Sequence, residues 1–137
     1  MTLITNKIDY QKLSRTSLNG KRVYQCPDGS AVASVTTILD STKDKTHLIE
    51  WRKRVGEQNA VRITKEASGI GTRMHKYIED YIANGEWNEP GSNPYAQQAF
   101  KMAQVVHENA LKDVNEIWGS EVGLYFPKIY AGTTDCV

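Results

Sequence analysis

The stretch Glu121-Val-Gly-Leu-Tyr-Phe-Pro-Lys-Ile-Tyr-Ala-Gly-Thr-Thr-Asp-Cys-Val137 decides how the chain is read. Leu124, Tyr125, Phe126, Ile129 and Tyr130 favour strands and Pro127-Lys128 interrupts them, so the segment predicts a β-hairpin. Asp135 then stands among Thr133, Thr134, Cys136 and Val137. Those neighbours suit a pleated sheet, where an aspartate is costly unless a positive partner meets it. Side chains alternate faces along a strand, so an even loop count separates Glu121 and Asp135 and an odd count puts them together. With Pro127, Lys128 and Ile129 as the loop, Phe126 pairs with Tyr130 and Glu121 falls opposite Asp135. The same face carries Gly123, Ala131 and Thr133, expected to leave room for a cation and its waters. Facing carboxylates repel unless neutralised, and a divalent cation is the usual neutraliser of clustered oxygen donors.

Upstream of this hairpin the chain is helical in pattern. Asn93-Pro94 starts a helix with an expected inward stripe of Tyr95, Ala99, Met102, Val106 and Ala110, running to about Lys112, with His107 and Glu108 at its surface. Before it, Arg73 to Ile82 reads as an amphipathic helix with Met74, Ile78 and Tyr81 or Ile82 inward. Ser68-Gly69-Ile70-Gly71-Thr72 predicts a break ahead of it, with Thr72 as its cap. That places His75 on the first turn, one turn before Glu79. A helical histidine of this kind is ordinarily structural or solvated, and a ligand role is the sharper alternative. Leu48, Trp51 and Val55 recur at helical spacing, and Gly56 marks a bend before Ala60, Ile63 and Ala67. Trp51 is followed by Arg52, Lys53 and Arg54. An indole beside guanidinium groups can stack on a base of single-stranded nucleic acid, whereas core packing matches the period of its apolar neighbours.

Towards the N-terminus, Lys21 to Gln25 and Ala31 to Ser34 read as two strands around Pro27-Asp28-Gly29. The hydroxyls of Ser34-Val35-Thr36-Thr37-Ile38-Leu39 suit the first turn of a helix, as caps or as phosphate donors. Met1 to Gly20 is weakly patterned and reads as an arm.

The 137 residues are 39% hydrophobic and 24% charged, the composition of one ordinary globular domain, without an apolar run of membrane length or a signal segment. An intracellular protein is expected, with Cys26 and Cys136 as free thiols in preference to a disulfide. Charge is segregated: Lys43 to Glu79 holds nine Lys and Arg against five Asp and Glu, and Glu86 to Glu121 two against six. The basic part suits a polyanion or a solvated helix surface.

Three ordered segments carry a resemblance. Ser34-Val35-Thr36-Thr37-Ile38-Leu39 resembles the Ser-Val-Thr segment, Gly71-Thr72-Arg73-Met74-His75 the Gly-Thr-x-x-His motif, and Tyr130-Ala131-Gly132-Thr133-Thr134-Asp135 the Gly-x-x-Asp strand of the RecB-type branch of the PD-(D/E)XK nucleases. Within that branch the chain is similar to phage exonucleases related to the mitochondrial genome maintenance exonuclease. The resemblance implies an α/β fold with a restriction-endonuclease-like αβββαβ core, represented here by an N-terminal hairpin, a helical middle and a C-terminal β-hairpin, α+β in appearance. Residues 1–20 would be the arm and 21–137 the N-terminal portion of one nuclease domain. Asp135 and His75 would be catalytic metal ligands holding Mg2+ or Mn2+, with Glu121, placed chiefly by the register of the hairpin, as a third. Trp51, Arg52, Arg54, Arg73 and Thr36 would contact DNA, with single-stranded DNA ends as substrate, in the cytoplasm or, for a phage protein, the host cytoplasm. The family's following acid-x-Lys strand has no counterpart after Asp135, so the chain is expected to be part of a longer nuclease and to have little activity alone. The rival class is a non-catalytic nucleic-acid-binding fragment using Trp51 and the basic run; a third is an unrelated small α+β interaction domain.

Overall fold

Residues 2–3 and 7–137 are described by the computed structural model, and they group into two units, Met1–Leu3 with Lys45–Ile117, and Ile4–Asp44 with Trp118–Val137. Helices and strands are both present, a mixed α/β composition.

The second unit is a five-stranded sheet. Its strands are β2 (Ser14–Leu18), β3 (Lys21–Gln25), β4 (Ala31–Ser34), β6 (Ser120–Phe126) and β7 (Tyr130–Cys136), in the order β2-β3-β4-β7-β6. The expected hairpin of β3 and β4 forms within its expected bounds. Gly29 accepts φ 86° at its turn, and the Asp28 carboxylate accepts hydrogen bonds from the Ser30 N–H at 3.0 Å and hydroxyl at 2.6 Å. Residues 14–18, read from sequence as arm, instead form β2. Asn19 at φ 53° and Gly20 at φ 76° make the tight two-residue reversal that joins β2 to β3, the geometry an Asn-Gly pair supplies with least strain. Strand β4 then leads directly into helix α1 (Val35–Thr42). Ser34 caps it, its buried hydroxyl accepting from the Thr36 N–H at 3.1 Å. The C-terminal hairpin closes the sheet: β7 lies parallel to β4 through Ala33↔Tyr130 and Ser34↔Ala131, and antiparallel to β6.

Following the paired positions across this sheet defines its inner face. Arg15 pairs with Tyr24 and Tyr24 with Val32; one residue pair along, Ser34 pairs with Ala131 and Ala131 with Tyr125. Paired residues share a face, so Tyr24, Val32 and Ala131 gather into a core with Cys26, against which Leu13 and Tyr125 pack. The Tyr24 hydroxyl is 2.9 Å from Oγ1 of Thr133, which satisfies the polar end of a buried ring.

The first unit is helical. It holds α2 (Thr46–Val55), α3 (Glu57–Asn84) and α4 (Pro94–Val106), a π-helical turn at His107–Leu111, and the parallel pair β1 (Thr2–Leu3) and β5 (Glu116–Ile117). Gly56 separates α2 from α3 at φ 85°, as its position in the sequence predicts. The expected break at residues 68–72 does not occur, and α3 runs through for 28 residues. Two mid-helix glycines cost about 1 kcal/mol each relative to alanine. That cost is offset because packing anchors the helix on both sides of them, through Ala60 before and Tyr77, Tyr81 and Ile82 after. Thr72 therefore caps nothing; its hydroxyl donates to the Ser68 carbonyl at 3.0 Å, one turn back.

Helix α4 starts as expected, with Asn93 accepting from the N–H groups of Tyr95 and Ala96 and Pro94 in the first turn. Its buried stripe is Ala96, Ala99 and Ala103, while Tyr95 and Met102 are exposed. Small side chains let helices approach closely, and the large ones flank the contact. Leu48, Ile63 and Ala67, expected inward, are also exposed. Trp87 stacks on Tyr81 at 4.3 Å, and Phe100 and His107 meet this pair edge-on, so His107 is half-buried and not a surface residue. Among the described residues no helix is long and apolar enough to cross a membrane.

Candidate metal centre

The register of the C-terminal hairpin is the odd-loop alternative. Phe126 pairs with Tyr130 around Pro127, Lys128 and Ile129, and Ile129 N–H donates to the Phe126 carbonyl at 3.1 Å. Pairing continues through Val122↔Thr134 and Ser120↔Cys136, which sets Glu121 opposite Asp135. Their carboxylates reach within 4.8 Å of each other, and both are solvent-exposed. Beyond them, Trp118 N–H donates to the Val137 carbonyl at 2.7 Å and Val137 N–H to the Gly119 carbonyl at 3.0 Å, so the acids are braced by pairing on both sides.

Glu121 does not sit in ordinary strand geometry. Its φ is 52°, in the left-handed region that costs an L-residue about 1–2 kcal/mol. The residue is held there by the flanking pairs, the kind of backbone strain found where a side chain is re-aimed. The field of the two acids is felt next door. Burial pushes the Cys136 thiol up from its ordinary value, and the charges of Asp135 and Glu121 push it further in the same direction.

One part of the expected cavity is absent. A side chain at Gly123 would meet Leu13 at 3.1 Å, Ala131 is fully buried under the core, and the Thr133 hydroxyl is engaged by Tyr24. The small residues therefore admit the segment around Leu13 and not a hydrated cation. Space for an ion lies at the open end of the hairpin, on the solvent side of the two acids. Two carboxylate donors at this separation could hold a metal ion, with nothing in their arrangement that selects one cation over another.

The other candidate residues are carried by α1, α2 and α3. His75 is exposed in the middle of α3, beside Lys76, whose ammonium pairs with Asp80 at 2.8 Å and Glu79 at 3.8 Å. Trp51 is half-buried on α2, consistent with the core-packing alternative. Arg52 is engaged by Glu57, with Nη2 2.6 Å from Oε1 and Nε 3.3 Å from Oε2. That two-pronged bond occupies the edge of the guanidinium that a phosphate would use. Arg54 and Arg73 are exposed, as is Thr36, while the neighbouring Ser34 hydroxyl is consumed by its cap. Both cysteines are free thiols.

Sequence reading passed over a basic surface on β2 and β3. Tyr10 to Pro27 contains Lys12, Arg15, Lys21 and Arg22 and no acid, and the Asn19-Gly20 pair is the signal that would have made a hairpin of it. No protein-family model, curated protein or solved structure matches the chain.

Proposed function

We propose that the chain carries the metal-binding part of a divalent-cation-dependent nuclease acting on DNA, of the restriction-endonuclease-like PD-(D/E)XK kind, with single-stranded ends as substrate. The observation that carries this reading is the convergence of Glu121 and Asp135 on one end of a braced hairpin, in the sequence context Gly132-Thr-Thr-Asp135. Asp135 is the principal ligand and Glu121 the second, and the family resemblance assigns His75 as a nitrogen donor. A bound cation supplies charge neutralisation at the scissile phosphate and acidifies a bound water. The chain's own contribution is to hold two carboxylates at fixed separation, so that no reorganisation is needed when the ion arrives, and to leave the solvent side open to a phosphate.

The test is Mn2+ binding to the purified chain, followed by electron paramagnetic resonance of the free ion. Asp135→Ala is expected to weaken binding by about 100-fold or more, since even groups that only orient a ligand are worth about 10–100-fold. Glu121→Ala and His75→Ala are expected to weaken it by smaller factors. Wild-type affinity in the Asp135→Ala variant would overturn the proposal. Mn2+-dependent cleavage of single-stranded DNA by a polypeptide that includes these residues, lost with Asp135→Ala, is the activity expected of it.

A further inference from the structure

The β2–β3 hairpin concentrates positive charge on one side of the sheet. Ser17 pairs with Arg22 and Arg15 with Tyr24, so Arg15, Ser17 and Arg22 share the face that carries Tyr24, Thr133 and Asp135. Arg15 and Arg22 are diagonal neighbours across the two strands, with Cβ atoms about 7–8 Å apart or somewhat less in such a geometry. With Thr16, Ser17 and Gly20 they line an open groove of about 440 Å³, and every residue of β2 is exposed. Among the described residues no carboxylate pairs with Arg15, Lys21 or Arg22. An edge strand protected against self-association needs charge, but it does not need two guanidinium groups on one face together with the Ser17 hydroxyl. A spacing of this size matches successive phosphates of an extended strand better than a single carboxylate, which one guanidinium already saturates.

We propose that Arg15 and Arg22 hold two successive phosphates of a nucleic-acid strand at the exposed edge of the sheet, since the face between this hairpin and Asp135 is closed by the buried Tyr24, Val32, Ser34 and Ala131. The inference rests on the nucleic-acid part of the proposed function and not on its metal. Binding of fluorescein-labelled dT20 and of a 20-base-pair duplex is measured by polarisation in EDTA over a range of salt. Arg15→Ala/Arg22→Ala is expected to weaken binding roughly tenfold or more at low salt. The slope of log K against log salt should flatten by about 0.7 per lost phosphate for the single strand, about 1.4 for the pair, or by about 0.9 each if the duplex is the form held. Mn2+ affinity of the same variant should stay at the wild-type value, and an unchanged urea-unfolding midpoint reports that it has folded.

Lys101→Ala/Lys112→Ala removes the same charge from the first unit and should leave both quantities nearly unchanged. Equal losses in the two double variants would reduce the effect to net charge and overturn the proposal. An unchanged slope in Arg15→Ala/Arg22→Ala would do the same, as would displacement of dT20 by polyglutamate at equal charge concentration. Because the measurement is made without metal, a failed Mn2+ test leaves its outcome readable.

Discussion

The hairpin β2–β3 and the hairpin β6–β7 stand at opposite margins of one sheet and differ in how their charged residues are paired. In the first, two residues make the turn and two arginines lie diagonally, Arg15 opposite Tyr24 and Arg22 opposite Ser17. In the second, three residues make the turn and two acids lie directly opposite. Diagonal positions are about 7–8 Å apart and direct ones about 4.5–5.5 Å. The wider spacing suits two anionic groups in succession, and the narrower suits one ion shared by two donors. Register, more than residue choice, therefore sets the spacing of like charges in each hairpin.

The comparison breaks most completely if the acidic hairpin is rewritten with the chemistry of the basic one. Glu121→Arg/Asp135→Arg should abolish Mn2+ binding and steepen the salt dependence of dT20 binding, by up to about 1.4 in log–log slope if both new groups reach phosphate; a slope unchanged from wild type would show that the two acids are not on the nucleic-acid path. The turns come next. Gly20→Ala forces an L-residue into a left-handed position and should lower stability by about 1–2 kcal/mol in urea unfolding. Glu121→Gly sharpens the contrast, because it removes a proposed metal donor while relieving strain: stability should hold or rise by up to about 1 kcal/mol, where a normal strand residue changed to glycine would lose as much. Clear destabilisation there would mean that the left-handed angle is not strained.

The smallest effect concerns pH. Hydrogen bonds from the Ser30 side chain and backbone hold the Asp28 carboxyl below its ordinary 3.8. A folded-state value lowered in this way contributes stability present above the unfolded value and lost as pH falls through the folded one, so its influence lies near and below pH 4. In Ser30→Ala the Asp28 titration followed by NMR should move upward toward 3.8, with no change at neutral pH.

What the sequence disclosed followed from local rules that packing did not overrule. The β3–β4 hairpin was legible because Pro27-Asp28-Gly29 fixes a turn between two alternating runs, and the facing acids were legible because strand parity needs only a loop count. Strand β2 was missed because Ser14 to Leu18 has no apolar alternation to read: all five residues are exposed, and pairing to β3 makes the strand. The unbroken α3 and the alanine stripe of α4 were misread for a shared reason. Both depend on neighbouring helices, which can outweigh the cost of glycine and reward small side chains over Tyr95 and Met102. The left-handed angle at Glu121 had no sequence signal, since glutamate is not a residue that seeks it.

The parallel joint between β4 and β7 also sets an order of assembly. Strands β2, β3 and β4 find one another through tight reversals, and hairpins of that kind form in about 1–10 μs. The contact from Ala33 to Tyr130 must instead close a loop containing all of α2, α3 and α4, and such long-range pairing is slower. The basic hairpin is therefore expected to form before the two acids are brought opposite each other, and pulse-labelled hydrogen exchange should protect the Val23 amide ahead of the Ala131 amide.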